Sequence, residues 1–136
     1  MGHEPVIVLD THVLVWWVSG SDRISARAKR AIDQGLRRGP AVVSTISVLE
    51  IATAVRRGRL ELKPPLDQWL ADLRALPELQ FQPMSAGIAE LAGSFDEAMP
   101  GDPADRIIVA TALTLQAKLV TANERLRALP IVVTVW

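Results

Sequence analysis

The run Val6 to Leu9 (VIVL) constrains the fold of this chain more than any other stretch. It is apolar at every position. Absence of polar alternation marks a strand buried on both faces, and such strands occur in parallel sheets covered by helices on either side. Parallel neighbours cannot be joined by a tight turn, so a helical crossover must follow. The apolar segment Thr11 to Val18 supplies a helix. Between strand and helix stands a carboxylate, Asp10, at the strand's carboxyl end.

The rest of the chain repeats this alternation. Ala28, Ala31, Ile32 and Leu36 fall at helical spacing within a helix over roughly Ser25 to Arg38. Gly39-Pro40 ends it. Ala41 to Thr45 reads as a second buried strand, and Ser47 to Arg57 as a helix closed by Gly58. After Pro64-Pro65, Leu66 to Leu76 carries a stripe of Leu66, Trp69, Leu70 and Leu73. Phe81 to Met84 is a weak edge strand, and Ser85 to Ala98 a helix with Ile88, Leu91, Ala92 and Phe95 on one face. Pro100-Gly101 breaks the chain. Asp102-Pro103 opens a helix running to about Ala117, then come a strand at Lys118 to Thr121, a short helix at Glu124 to Ala128 and a last strand at Ile131 to Val135. Strands alternating with helices predict one α/β domain over residues 1–136, with parallel strands and helical crossovers.

Composition narrows the functional classes. Hydrophobic residues make up 49% and charged residues 22%, enough for a sizeable core and too apolar for a disordered chain. The formal net charge is zero, which excludes a generally basic nucleic-acid binder and leaves only local patches. With no cysteine there is neither a disulfide nor thiol catalysis, as suits a reducing compartment. No apolar run reaches the ~18 residues of a membrane span, and no basic segment precedes an apolar one at the N-terminus. A soluble cytoplasmic protein without membrane attachment is expected. Aromatic residues are few, 4% with no Tyr, which argues against an extended base-stacking platform.

In an open parallel sheet, functional groups gather at the carboxyl ends of the strands. Asp10 follows the first strand. Glu50 lies one turn into the helix after the second, Asp105 one turn into the helix before the Lys118 strand, and Asn123 just after that strand. Each also has a structural reading. Asp10 and Asn123 suit helix N-caps, Ser47-x-x-Glu50 has the form of a capping box, and Asp102-Pro103-Ala104-Asp105 is a favourable helix start. Capping accepts Ser, Thr and Asn as readily as acids, so it does not account for the set. Clustered carboxylates repel one another, and a hard divalent cation such as Mg²⁺ or Mn²⁺ relieves that repulsion.

These stretches resemble a known family. Leu9 to Trp17 (LDTHVLVWW), Ser44 to Leu62 (STISVLEIATAVRRGRLEL), Asp102 to Ala112 (DPADRIIVATA) and Leu119 to Asn123 (LVTAN) resemble, in order, the four motifs of PIN-domain ribonucleases. They are most similar to the VapC-type toxins of bacterial toxin–antitoxin pairs. The resemblance implies a three-layer α/β/α domain around a central parallel sheet. It implies Asp10, Glu50 and Asp105 as an acidic triad for Mg²⁺ or Mn²⁺, with Asp10 and Asp105 as direct ligands and Glu50 acting through water. Thr11, Thr121, Asp102 and Asn123 would support the same rim. It further implies hydrolysis of single-stranded segments of structured RNA, tRNA or rRNA, by metal-activated water, a cognate VapB-type antitoxin and a homodimer. The chain departs from the family pattern twice. The fourth acidic position is the amide Asn123, and the His often found shortly before Asp102 is replaced by Pro100 and Gly101.

Arg56 and Arg106 are the candidate phosphate ligands, whereas Arg57 and Arg59 fit a solvated face. His12, one residue beyond Thr11, fits a polar surface position better than a proton-transfer role. His3 is assigned nothing. Trp16, Trp17 and Trp69 lie on apolar stripes and read as core or interface residues rather than RNA platforms, and the Trp16-Trp17 pair suits a subunit interface. A non-catalytic PIN-like module that binds RNA or protein is the competing reading, given Asn123 and the zero net charge. Phosphotransfer through an aspartyl-phosphate is set aside, since no second Asp stands two residues after Asp10.

Overall fold

The structure, a computed structural model, describes residues 7–136. Val6, the expected first residue of the first strand, and His3 lie outside the described residues. Five strands form one sheet in the order β3-β2-β1-β4-β5, and every neighbouring pair is parallel. They are β1 (Ile7–Leu9), β2 (Ala41–Ser44), β3 (Leu79–Gln82), β4 (Lys118–Val120) and β5 (Thr134–Val135). The helices are α1 (Thr11–Ser19), α2 (Ala26–Arg38), α3 (Ile46–Arg56), α4 (Leu66–Arg74), α5 (Ala86–Ser94), α6 (Pro103–Leu115) and α7 (Glu124–Arg127).

Alternate residues of β1 and β2 feed two cores. Ile7, Leu9, Ala41 and Val43 pack against Val13, Ile32, Ile51 and Leu73 from α1 to α4. Val8 and Val42 pack on the opposite face against Ile108 and Val109 of α6 and Leu126 of α7. Burial on both faces is what the unalternating VIVL run requires, and it makes the fold a three-layer α/β/α domain. The chain lays strands outward from β1 first on one side and then on the other. This reversal puts a topological switch point between β1 and β4, where a crevice opens at the strands' carboxyl ends.

Several element ends differ from the sequence reading. The edge strand β3 starts two residues earlier than Phe81, because Leu79 is buried opposite Ala41, and it stops before Pro83, which has no N–H to give. Helix α5 ends at Ser94 rather than Ala98, since Phe95 turns to an extended conformation. Helix α6 stops at Leu115, where Gln116 takes the left-handed conformation, φ 54°, and Ala117 N donates back to Ala112 O. The last strand is confined to two residues. Ile131 and Val133 are 50% and 63% exposed at the sheet's edge, so burial does not hold them in a regular strand.

Candidate active site

The crevice is built from the centre of the sheet outward. Asp10 ends β1 and starts α1. Its Oδ1 accepts from the Thr11 backbone N–H at 2.8 Å, while its Oδ2 accepts from the Thr121 hydroxyl at 2.6 Å. The Asp10 N–H itself donates to Val120 O. Only 6% exposed, this carboxylate is both a helix cap and a group fixed across the switch point from β4. Thr121, wholly buried, also accepts from the Asn123 N–H at 3.0 Å, so one hydroxyl ties the two strand ends together.

Glu50 projects from α3 and is held by Thr11, whose hydroxyl donates to Glu50 Oε1. Ser47 Oγ lies 2.7 Å from the same Thr11 oxygen. A hydroxyl has one proton to give, so while Thr11 donates to Glu50, Ser47 donates to Thr11. The capping-box reading of Ser47 and Glu50 is therefore overturned. The N-cap of α3 is Thr45, without a side-chain cap bond, and the fully buried Ser47 orients Glu50 through Thr11 instead. Sequence reasoning missed Ser47 because its spacing to Glu50 imitates a cap. Its place on the same α3 face as Glu50 was the available signal.

Asp102 and Asp105 come from the start of α6. Asp102 is the N-cap, its Oδ1 accepting from Ala104 N–H at 2.8 Å, with Pro103 in the first turn. Burial pushes the Asp105 carboxyl up to about 7, with Asp102, Asp10 and Glu50 adding to the rise and Arg125 opposing it. Burial also raises Glu50; the Thr11 bond works against this, and Asp10 and Asp102 reinforce it. Glu50 and Asp105 thus feel the neighbouring carboxylates across one crevice. Among the described residues, no three acids or histidines stand in a ready-made ligand arrangement. By its chemistry the donor set fits a hard cation: oxygen ligands only, with negative charge in excess of what the site neutralises.

Other residues are placed differently from expectation. Asn123 caps α7, its Oδ1 accepting from Arg125 N–H at 2.9 Å. Arg106 is corrected from phosphate ligand to structural clamp. Its guanidinium donates to the carbonyls of Ala92, Phe95, Asp96 and Pro100 at 3.0–3.2 Å, fastening the end of α5 to the start of α6. Arg56 is exposed and stands apart from the cleft beside Glu50, whereas Arg57 and Arg59, read as a solvated face, line that cleft together with His12 and Trp16. Trp17 and Trp69 pack at the margin of the α1–α4 core, as their stripes required.

Fold and rim define a class of protein, an α/β/α domain with acids gathered at its switch point. Residues 7–132 match the PIN domain, and the chain belongs to that family. It is similar to Ribonuclease VapC22 of Mycobacterium tuberculosis, with 35% identity over 132 residues that span 96% of this chain and 98% of that one. Solved structures that share the fold include two that cover nearly the whole chain. One is VapBC2 of Rickettsia felis bound to a promoter DNA fragment, with TM-score 0.69 and 18% identity over 95% of this chain and 96% of that one. The other is a toxin–antitoxin complex of Klebsiella pneumoniae, with TM-score 0.65 and 23% identity over 94% and 96%.

Proposed function

We propose that the protein is a single PIN domain, residues 1–136, acting as a metal-dependent endoribonuclease toxin that a cognate VapB-type antitoxin neutralises. One observation carries this reading: four carboxylates meet at the switch-point crevice, with Asp105 pushed up to about 7. Helix capping accepts Ser, Thr and Asn equally well, so it does not call for acids that burial and mutual repulsion make costly to ionise. The nearly full-length similarity to a VapC ribonuclease supports the activity, and the toxin–antitoxin assemblies that share the fold support the partner.

Asp10 and Asp105 would hold Mg²⁺ or Mn²⁺ directly, with Glu50 reaching it through water. A bound divalent ion supplies an acidified water and neutralises charge on the phosphoryl oxygens. The protein's own groups do the rest. Thr121 and the Thr11 N–H hold both oxygens of Asp10, so it cannot swing away. Thr11 and Ser47 fix Glu50, whose raised proton affinity suits it to orient a water and take its proton as that water attacks the phosphodiester in line. Structured RNA, tRNA or rRNA, is the proposed substrate, and a cytoplasmic homodimer the proposed state.

The test is cleavage. Protein purified free of any partner, given Mn²⁺ or Mg²⁺, cleaves total tRNA or rRNA, and Asp10→Asn abolishes it. No cleavage with either ion, or undiminished cleavage by the variant, overturns the reading. The neutral Asn123 at the fourth position and the zero net charge favour a second reading, a non-catalytic PIN-like module that binds RNA or protein. Calorimetry with Mn²⁺ separates the two, since the nuclease binds the ion in a manner dependent on Asp10 and Asp105.

A further inference from the structure

A cleft of about 540 Å³ leads away from the acid rim between α1 and α3. Glu50 and Asp102 stand at one end of it. Beyond them the walls are cationic and aromatic: Trp16 and Arg23 on the α1 side, Arg57 and Arg59 on the α3 side. In a chain of zero net charge this is a local concentration of arginine directly beside the acids.

Local backbone geometry produces it. Arg57 caps α3, Gly58 turns left-handed at φ 71°, and the Arg59 N–H donates back to Ala54 O at 2.8 Å. A glycine at that position allows the helix to end in a tight reversal, and the reversal brings Arg59 round beside Arg57 instead of carrying it onward. Across the cleft, Trp16 is half-buried and anchored by tilted contacts with Trp136 at 5.8 Å and His12 at 5.9 Å. The Arg23 guanidinium carbon lies 5.9 Å from the Trp16 ring centroid. Val15 and Leu60 add apolar floor.

The geometry points to this cleft as a subsite for one unpaired nucleotide of an RNA strand, its base against Trp16 and its phosphate on Arg57 and Arg59. The inference rests on the ribonuclease reading, because it places the neighbouring phosphodiester at the acid rim. A base exposes its π-face to a protein only when it is unstacked, and aromatic and guanidinium planes are what such a face seeks. Arginine gives phosphate a two-pronged, charge-assisted contact. The cleft has the volume of a small-ligand pocket, suited to a single nucleotide and not to a duplex.

Binding is measured by fluorescence anisotropy on the full chain, with a labelled, unstructured RNA oligonucleotide. EDTA is present so that no cleavage occurs, and the salt concentration is varied. Arg57→Ala with Arg59→Ala removes the one phosphate contact and lowers the slope of log affinity against log salt by about 0.7, the single-strand value per neutralised phosphate. Trp16→Ala weakens binding by roughly 5- to 150-fold, the range of one lost base stack, and Trp16→Phe restores most of it. A duplex of the same sequence binds more weakly than the single strand. Unchanged affinity and slope in the arginine pair overturn the subsite. So does equal binding of duplex, or, with a labelled acidic peptide titrated in the same assay, a loss confined to the peptide while RNA binding persists, which would give the cleft to a protein partner. Both arginines are exposed, so their variant tests the inference even if Trp16→Ala fails to fold. The two readings fail differently. Cleft-dependent RNA binding with no cleavage on adding Mn²⁺ overturns the ribonuclease and leaves the subsite standing. Cleavage at an undiminished kcat/KM in the cleft variants does the reverse.

Discussion

Thr11 is the residue through which the two halves of the acid rim communicate. Its N–H serves Asp10 and its hydroxyl serves Glu50, with Ser47 behind it. Ser47→Ala removes the proton that satisfies Thr11 from within the core. Expected outcomes are a loss of about 1 kcal/mol of stability in urea titration, the usual worth of a buried hydrogen bond, and a fall in kcat larger than any rise in KM, because Glu50 loses its orientation rather than its charge. Arg106 gives the contrasting case. Arg106→Ala takes four carbonyl partners away and should cost roughly 2–4 kcal/mol in the same titration, given ~1.5–3 kcal/mol for a hydrogen bond to a charged group and strong non-additivity among four. The salt dependence of RNA binding should stay unchanged. A reduced slope would restore Arg106 to the phosphate-binding set. The places of the acids in the fold were legible in the sequence: Asp10 follows an apolar strand, and Glu50 and Asp105 stand near the starts of helices that open beside strands. Arg106 was not, because a guanidinium's choice between phosphate and backbone carbonyl depends on a loop 6–14 residues away in sequence.

At the scale of elements, VIVL and the helical stripes gave the layer order directly, because two-sided burial leaves a parallel strand no polar face. The ends were harder to read. Where α6 stops depends on Gln116 accepting a left-handed conformation that sequence rules reserve for Gly or Asn. Gln116→Gly relieves the side chain's clash in that conformation, offset partly by the greater freedom of an unfolded glycine. A net gain of about 0.5 kcal/mol is expected, read as a higher urea midpoint with an unchanged m-value. Gly58→Ala works in the opposite direction at φ 71°, costing ~1 kcal/mol or more. Nothing lies within 4 Å of the added methyl group, so the cost is backbone strain alone. The position of β3 was misread by two residues for a related reason: pairing with β2 sets the register, and one edge-strand sequence does not contain its partner.

At the scale of the whole molecule, the crowding of acids couples stability to pH. The Asp105 carboxyl lies at about 7 in the folded chain against 3.8 ordinarily, so between those values the folded protein keeps a proton that the unfolded chain has released. Its stabilising contribution is complete below about pH 4 and is lost as pH rises through 7. In EDTA the melting temperature should therefore fall across this window through this group, and Asp105→Asn should flatten the fall. Mn²⁺ at 100 times its Kd should return about 2.7 kcal/mol at pH 7 to the natural chain and far less to the variant. A pH profile identical in both would refute the coupling. The hydrogen bond from Thr121 to Asp10 spans 111 residues of sequence. During synthesis the first strand emerges from the ribosome long before β4, and until β4 pairs beside it Asp10 has neither its hydroxyl partner nor the carbonyl of Val120. A growing chain therefore has no assembled crevice until β4 has been made and has paired beside β1.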